Sequence, residues 1–280
     1  MRVLVTGAAG QVGHDLVLAF GAAGHEVVPT TSATLDITDW PAVWNALQAL
    51  RPELVVNAAA WTAVDACEDD PERADLVNGR AVSFLVAAAE EVGARVCQLS
   101  TDYVFDGRKP GPYVEDDEPN PLSVYGWSKL GGERALRPDD LLIRTAWVSG
   151  RNGRNVITSV ISMLSLIKIP FVDDQRGSPT IASDLAAKVV ELSEARLAGT
   201  FHVTNQGEAT WFEVAQAVME SLRLGAERVQ PITTAELSRR ARRPANSVLD
   251  NAAVRREGIA LLPHWRESLP QLVNDIVRGR

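Results

Sequence analysis

The sequence predicts an α/β fold in which a doubly wound parallel sheet, covered by helices on both faces, is joined to a smaller, discontinuous second lobe. Three observations predict it. Short β-branched apolar runs alternate with alanine-rich helical stretches over the first two-thirds of the chain, a glycine-rich turn joins the first run to the first helix, and beyond residue 148 the alternation loosens. Strands bounded on both sides by helices need crossover connections, which give parallel pairing and a sheet with no solvated face.

Taken in order, strands are expected at 3–6, 26–29, 54–57, 96–100, 141–145 and 200–204, each a short run rich in Val, Leu or Ile or carrying Phe and Thr. Helices at 11–22, 40–49, 71–92 and 123–136 fill the intervals between the first five. Past them, 151–155 is polar and loop-like, 156–167 reads as a helix, and DDQRGSPT at 173–180 carries turn chemistry ahead of a helix at 181–195. The strand at 200–204 is followed by a helix at 211–222, an arginine-rich loop and a terminal helix at 264–277. The expected division is therefore 1–148 with 178–205 as a dinucleotide-binding unit, and 149–177 with 206–280 as a substrate-binding lobe. Such a lobe closes a cleft over the carboxyl ends of the strands, where open α/β sheets bind ligands.

Composition narrows the class. The 280 residues are 46% hydrophobic and 23% charged, as in ordinary globular domains. A formal net charge of −8 argues against nucleic acid or an anionic membrane as partner. The basic cluster RRARR at 239–243 is local, and reads either as a solvated face or as a site for a small anion. The opening MRVLVTGAAG moves from a charge into an apolar run too short for a signal peptide, and no later run reaches the roughly 18 apolar residues of a membrane span. Cys67 and Cys97 have no metal-ligand or redox spacing, so buried, reduced thiols in a cytoplasmic protein are expected.

The segment VLVTGAAGQVG places Gly7, Gly10 and Gly13 where the first strand meets the first helix, with Gln11 and Val12 in the same turn. Glycines there allow a tight turn and close backbone approach to a pyrophosphate at a helix N-terminus. The spacing is G-x-x-G-x-x-G rather than G-x-G-x-x-G, so the strand–helix context carries the reading. At the end of the second strand, 29–34 holds no carboxylate to grip a ribose 2′-hydroxyl. The hydroxyls of Thr30, Thr31 and Ser32 could accept a 2′-phosphate, so NADPH is expected to serve at least as well as NADH.

In YGWSKLGGE, Lys129 follows Tyr125 by one helical turn, in a chain with only 3 tyrosines. A phenol is a sluggish acid–base group at neutral pH, and an adjacent ammonium favours its ionised form. Such a site also needs a hydroxyl at a strand end to polarise a carbonyl, and LSTDYVF offers Ser100 and Thr101.

On these residues the chain resembles the extended short-chain dehydrogenase/reductases, and within them the dTDP-4-dehydrorhamnose reductase family. The resemblance runs through GAAGQVG at 7–13, NAAAWTAVDACE at 57–68, STDYVFDG at 100–107, YGWSKLGGE at 125–133, RTAWVSG at 144–150, DDQRGSPT at 173–180 and RRPANSVLD at 242–250. It implies a Rossmann-type fold and reduction of the C4 keto group of a dTDP-linked 4-keto-6-deoxy sugar. Tyr125 would be the proton donor, Lys129 would lower its pKa and hold the nicotinamide ribose, and Thr101 would hydrogen-bond the keto oxygen, with Asp102 beside it on the substrate. Asp36 and Ile37 would meet the adenine, although a helix N-cap at Asp36 is an equal reading. Ala58, Ala59 and Ala60 would leave room for the cofactor, and Asn78 matches a mid-helix asparagine of the superfamily. Trp147 would offer an aromatic face to sugar or base, or belong to the core, and Arg243 would meet the diphosphate. Relatives described as Mg²⁺-bridged dimers use a glutamate where this chain has Asp15, so no metal is assigned and the chain is expected as monomer or homodimer. An epimerase or dehydratase is the rival enzyme reading, although Thr101 is followed by Asp102 and Tyr103 rather than Asp-Glu. A regulatory subunit resembling the methionine adenosyltransferase beta subunit is the rival outside enzymes.

Overall fold

A computed structural model describes residues 1–279. The chain runs β1 (Arg2–Thr6), α1 (Gln11–Ala22), β2 (Glu26–Pro29), α2 (Trp40–Leu50), β3 (Leu54–Asn57), α3 (Val64–Asp69), α4 (Pro71–Asp75), a π-helical turn (Leu76–Arg80), α5 (Ala81–Glu91), β4 (Arg95–Thr101), α6 (Val124–Glu133) and β5 (Leu141–Thr145). It continues through β6 (Val148–Ser149), α7 (Val156–Ser162), β7 (Ile169–Val172), β8 (Arg176–Gly177), β9 (Thr180–Ile181), α8 (Ala182–Glu194) and β10 (Gly199–His202). β11 (Ala209–Thr210), α9 (Trp211–Ser221), β12 (Val229–Ile232), α10 (Ala252–Arg256) and α11 (Trp265–Arg278) complete it.

All six expected strands join one parallel sheet in the order β10-β5-β4-β3-β1-β2. The order reverses between β1 and β3, which opens a crevice at their carboxyl ends. β3 reads LVVN with every residue buried, the mark of a strand covered on both faces. Alternation along β1 divides the two layers: Val3 and Val5 pack with Leu16 and Phe20 of α1 and Leu185 and Val189 of α8, while Leu4 faces Val43 and Leu47 of α2 and Val82 and Leu85 of α5. Each such side chain contributes about 1.5–3 kcal/mol by leaving water.

A second core gathers Val156 and Val160 of α7, Val214 and Val218 of α9, and Trp265, Leu269 and Ile276 of α11 around the parallel pair β7–β12. Asn155 and Thr210 start α7 and α9 as complete capping boxes. Within 206–280, Ala253, Val254 and Leu262 pack instead into the core of the main sheet.

Three local departures have physical reasons. The helix expected at 71–92 is broken by the π turn, which aims buried Asn78 sideways. The helix expected at 156–167 ends at Ser162, so Ile167 lies exposed instead of on a buried face. The two-residue strands β6, β8, β9 and β11 are too short to carry a periodic signal. Among the described residues no helix is long and apolar enough to cross a membrane.

Candidate active site

The turn between β1 and α1 is closed by the Gly10 amide donating to the Gly7 carbonyl at 2.9 Å. A Cβ on Gly13 would lie 2.0 Å from that carbonyl oxygen, so the third glycine is a packing necessity. Gly10, Gln11 and Val12 line a cavity of about 510 Å³ whose other walls include Ala58, Ala59, Ala60, Thr101, Asp102, Tyr125, Lys129 and Trp147. Gln11 also braces the turn against the second lobe: its Oε1 accepts from Gly150 N and Asn155 Nδ2, each at 3.0 Å. Buried polar atoms of two residues that line its inner end, Asp102 Oδ2 and Thr145 Oγ1, have no partner and are available to a bound group.

At that inner end β4 delivers Thr101 and α6 delivers Tyr125 and Lys129. Tyr125 is 8% exposed and packs edge-on against Tyr103, ring centroids 5.8 Å apart. Burial, then the Asp102 charge, push the phenol above its ordinary pKa, and a hydrogen bond with Thr101 pulls weakly the other way. The Lys129 ammonium donates to the Leu99 carbonyl at 2.7 Å. Burial lowers Lys129 to about 8, against the opposing pull of Glu133. Asp102, 2% exposed, is raised by burial to about 6 despite the hydrogen bond from Thr101. Thr101 donates to Asp102 Oδ1 at 3.0 Å and accepts from Tyr103 N at 3.1 Å. Its hydroxyl thus lies between the strand end and the phenol.

A larger cavity of about 800 Å³ adjoins the first, sharing Thr62 and Arg154, and is lined from the second lobe by Met163, Phe171, Gln175, Trp211, Arg239 and Arg243. Arg243 makes a bidentate pair with Asp65 at 2.8 and 3.1 Å, which holds that carboxyl below its usual range. The RRARR segment is therefore a strap across to α3, with Arg240 paired to Asp69. Trp147 stacks on Trp211, centroids 3.7 Å apart and 7° from parallel, so its role is cavity wall and packing together.

The remaining expected residues fall elsewhere. Thr30 is buried and its hydroxyl donates to the Val5 carbonyl at 3.2 Å, leaving Thr31 and Ser32 as the outward hydroxyls of that loop. Asp36 accepts from Thr38 N and Oγ1, and the N-cap of α2 is Asp39. Ile37 packs into the core with Leu35 and Val43. Asn78 binds Trp61 N and O and Ser128 Oγ, tying the post-β3 loop to α6. Cys67 and Cys97 are buried free thiols pushed up by burial to about 11 and about 12. Asp15 is buried on α1, its carboxyl raised by burial, and among the described residues no three His, Cys, Asp or Glu side chains converge as a metal site. Sequence reasoning missed Arg154 and Trp211, which enter the site only through contacts between distant segments, and Glu133, whose one signal was its place one turn after Lys129.

The chain is 42% identical to a dTDP-4-dehydrorhamnose reductase from Streptomyces griseus, over 96% of this chain and 92% of that protein. Among solved structures, a dTDP-4-dehydrorhamnose reductase from Clostridium acetobutylicum superposes with a TM-score of 0.94 at 38% identity, covering 98% of this chain and 99% of the other. The enzyme of that name from Bacillus anthracis, solved in complex with NADP, gives 0.93 at 33% identity with the same coverage. The family described as RmlD substrate binding domain matches residues 1–278, and the chain belongs to that family.

Proposed function

We propose that the chain is an NAD(P)H-dependent reductase that converts the C4 keto group of dTDP-4-dehydro-L-rhamnose to the alcohol, giving dTDP-L-rhamnose. The observation that carries this reading is the convergence of Thr101, Asp102, Tyr125 and Lys129 in the cavity that the glycine turn also lines, which adjoins the larger one at Thr62 and Arg154. Residues 1–148 and 178–205 would hold the dinucleotide, and 149–177 with 206–280 the sugar nucleotide.

A bound nicotinamide dinucleotide supplies the hydride that reduces C4. The chain manages the proton and the charge. Tyr125 starts in its protonated form, as burial dictates, and gives its proton to the keto oxygen. The Thr101 hydroxyl supports the same oxygen as negative charge develops. Lys129, with its ammonium buried nearby, favours the phenolate left behind. Asp102 Oδ2, buried and unpartnered, accepts from a neighbouring sugar hydroxyl. Arg239 and Arg243 face the diphosphate, and Thr31 and Ser32 leave room for a 2′-phosphate. With dTDP-4-dehydro-L-rhamnose, NADPH absorbance is expected to fall one for one with product formed, at a kcat/KM no lower than with NADH. Protein that binds NADPH yet oxidises none of it would overturn the proposal.

The free-enzyme groups set the pH dependence of kcat/KM. Lys129 loses its proton as pH rises through about 8, and Asp102 loses its charge as pH falls through about 6. A bell with limbs near those values is expected, and Asp102→Asn should remove the acid limb. The folded pKa of Asp102 lies above its unfolded value, so its buried charge costs stability as pH rises through about 6. The same variant should therefore melt higher than wild type at pH 8. An acid limb that survives in Asp102→Asn would assign it to another group.

A further inference from the structure

Glu133 lies one helical turn beyond Lys129 on α6, and its buried carboxylate joins three elements. Ser100 of β4 donates to Oε1 at 2.5 Å. Arg144 of β5 donates from Nε at 3.1 and 3.2 Å and from a terminal nitrogen to Oε2 at 2.7 Å. Ser100 and Arg144 are register partners in the sheet, and Thr101 follows Ser100 directly. Lys129 binds the carbonyl of Leu99, so α6 is fastened to two consecutive residues of β4 immediately before the one that carries the hydroxyl.

The charges are equally constrained. Lys129 and Arg144 are 4% and 5% exposed, and Glu133 is the carboxylate that faces both. Tyr125, on the same helix, and Asp102, just past the end of β4, line the same cavity as Lys129, and the neutral amide of Asn78 binds Ser128 on α6. A salt bridge serving only to glue α6 to the sheet would not need to lie one turn from the catalytic lysine.

We propose that Glu133 is a positioning residue for the reduction: its carboxylate fixes α6 against the ends of β4 and β5, setting the spacing of Tyr125, Lys129 and Thr101, and keeps a negative charge one turn from the Lys129 ammonium. This deepens the reductase reading and rests on it for its kinetic part alone.

The test begins with a measurement that needs no sugar. The chain has four lysines, so ¹³Cε-lysine NMR gives few signals, and the one missing from Lys129→Met is that of Lys129. In Glu133→Gln, which keeps shape and removes charge, the Lys129 titration midpoint should fall by about one pH unit, the usual scale for a lost opposite charge nearby. The alkaline limb of kcat/KM should move with it. Glu133→Asp keeps the charge on a stem one carbon shorter. It should hold the midpoint, lower kcat roughly ten- to a hundredfold through misplacement, and leave KM unchanged. An unmoved midpoint in folded Glu133→Gln, or wild-type kcat in Glu133→Asp, would overturn the proposal. Should wild type itself leave the keto sugar untouched, the reductase reading falls while the titration still decides the electrostatic role of Glu133.

Discussion

Tyr125→Phe is expected to lower kcat for dTDP-4-dehydro-L-rhamnose by a factor on the order of 10² to 10⁴, the contribution typical of a positioned proton donor. The substitution removes one hydroxyl and leaves the ring where it is. The edge-on contact with Tyr103 and the packing under α3 and α4 stay intact, so NADPH affinity and melting temperature should remain close to wild type. Loss of turnover with retained NADPH binding would place the defect in proton transfer. Burial holds the phenol protonated before reaction, so this group adds no alkaline limb in the working pH range, and the mutant should be slow at every pH. Activity recovering steeply below pH 6 in the mutant would instead point to neutral Asp102 as an alternative acid, since that carboxyl becomes protonated there. Retention of more than a tenth of wild-type kcat would remove Tyr125 from the role of donor.

Arg144→Met is expected to cost about 3–5 kcal/mol of stability, the range measured when one partner of a buried ion pair is deleted. Arg144 makes three contacts with Glu133, reaches the Glu115 carbonyl at 3.4 Å and lies over the Phe105 ring at 5.2 Å. Methionine fills similar space and leaves Glu133 with only the Ser100 hydroxyl as a direct partner. Chemical denaturation at pH 7 reads the loss. Adding Glu133→Gln should recover most of it, because the uncompensated charge disappears with its partner. A loss below about 1 kcal/mol would mean that water reaches the pair, as it does in exposed ion pairs.

Much of this architecture is written in short-range patterns. Six apolar runs mark the six sheet strands because a buried parallel strand must be apolar on both faces, and little else produces runs of that length beside alanine-rich helices. The glycine turn and the Tyr125–Lys129 spacing are legible for the same reason: each is a constraint between residues a few positions apart. What the sequence hides is pairing across long separations. Arg243 reads as a free guanidinium until the strap brings it to Asp65, and nothing local in the sequence announces that Lys129 also donates to the Leu99 carbonyl. Thr30 was expected on the cofactor, but a β-strand end offers a buried carbonyl first. The π turn escapes pattern reading because one extra residue in a helix barely changes its apolar spacing, yet it aims Asn78 at Trp61 and Ser128.

The wall at Trp147 has a consequence for how such sites diverge. Trp147 holds a left-handed backbone, φ 47°, which few side chains other than glycine and asparagine adopt without strain. One side of its ring is covered by Trp211, and a Cβ on Gly177 would come within 2.3 Å of the ring. Three positions, 30 and 34 residues apart along the chain, are thus bound into one shape. None of them can drift alone, so a change of sugar or base preference at this wall would have to arrive as coordinated substitution, and aligned sequences should show 147, 177 and 211 changing together or not at all.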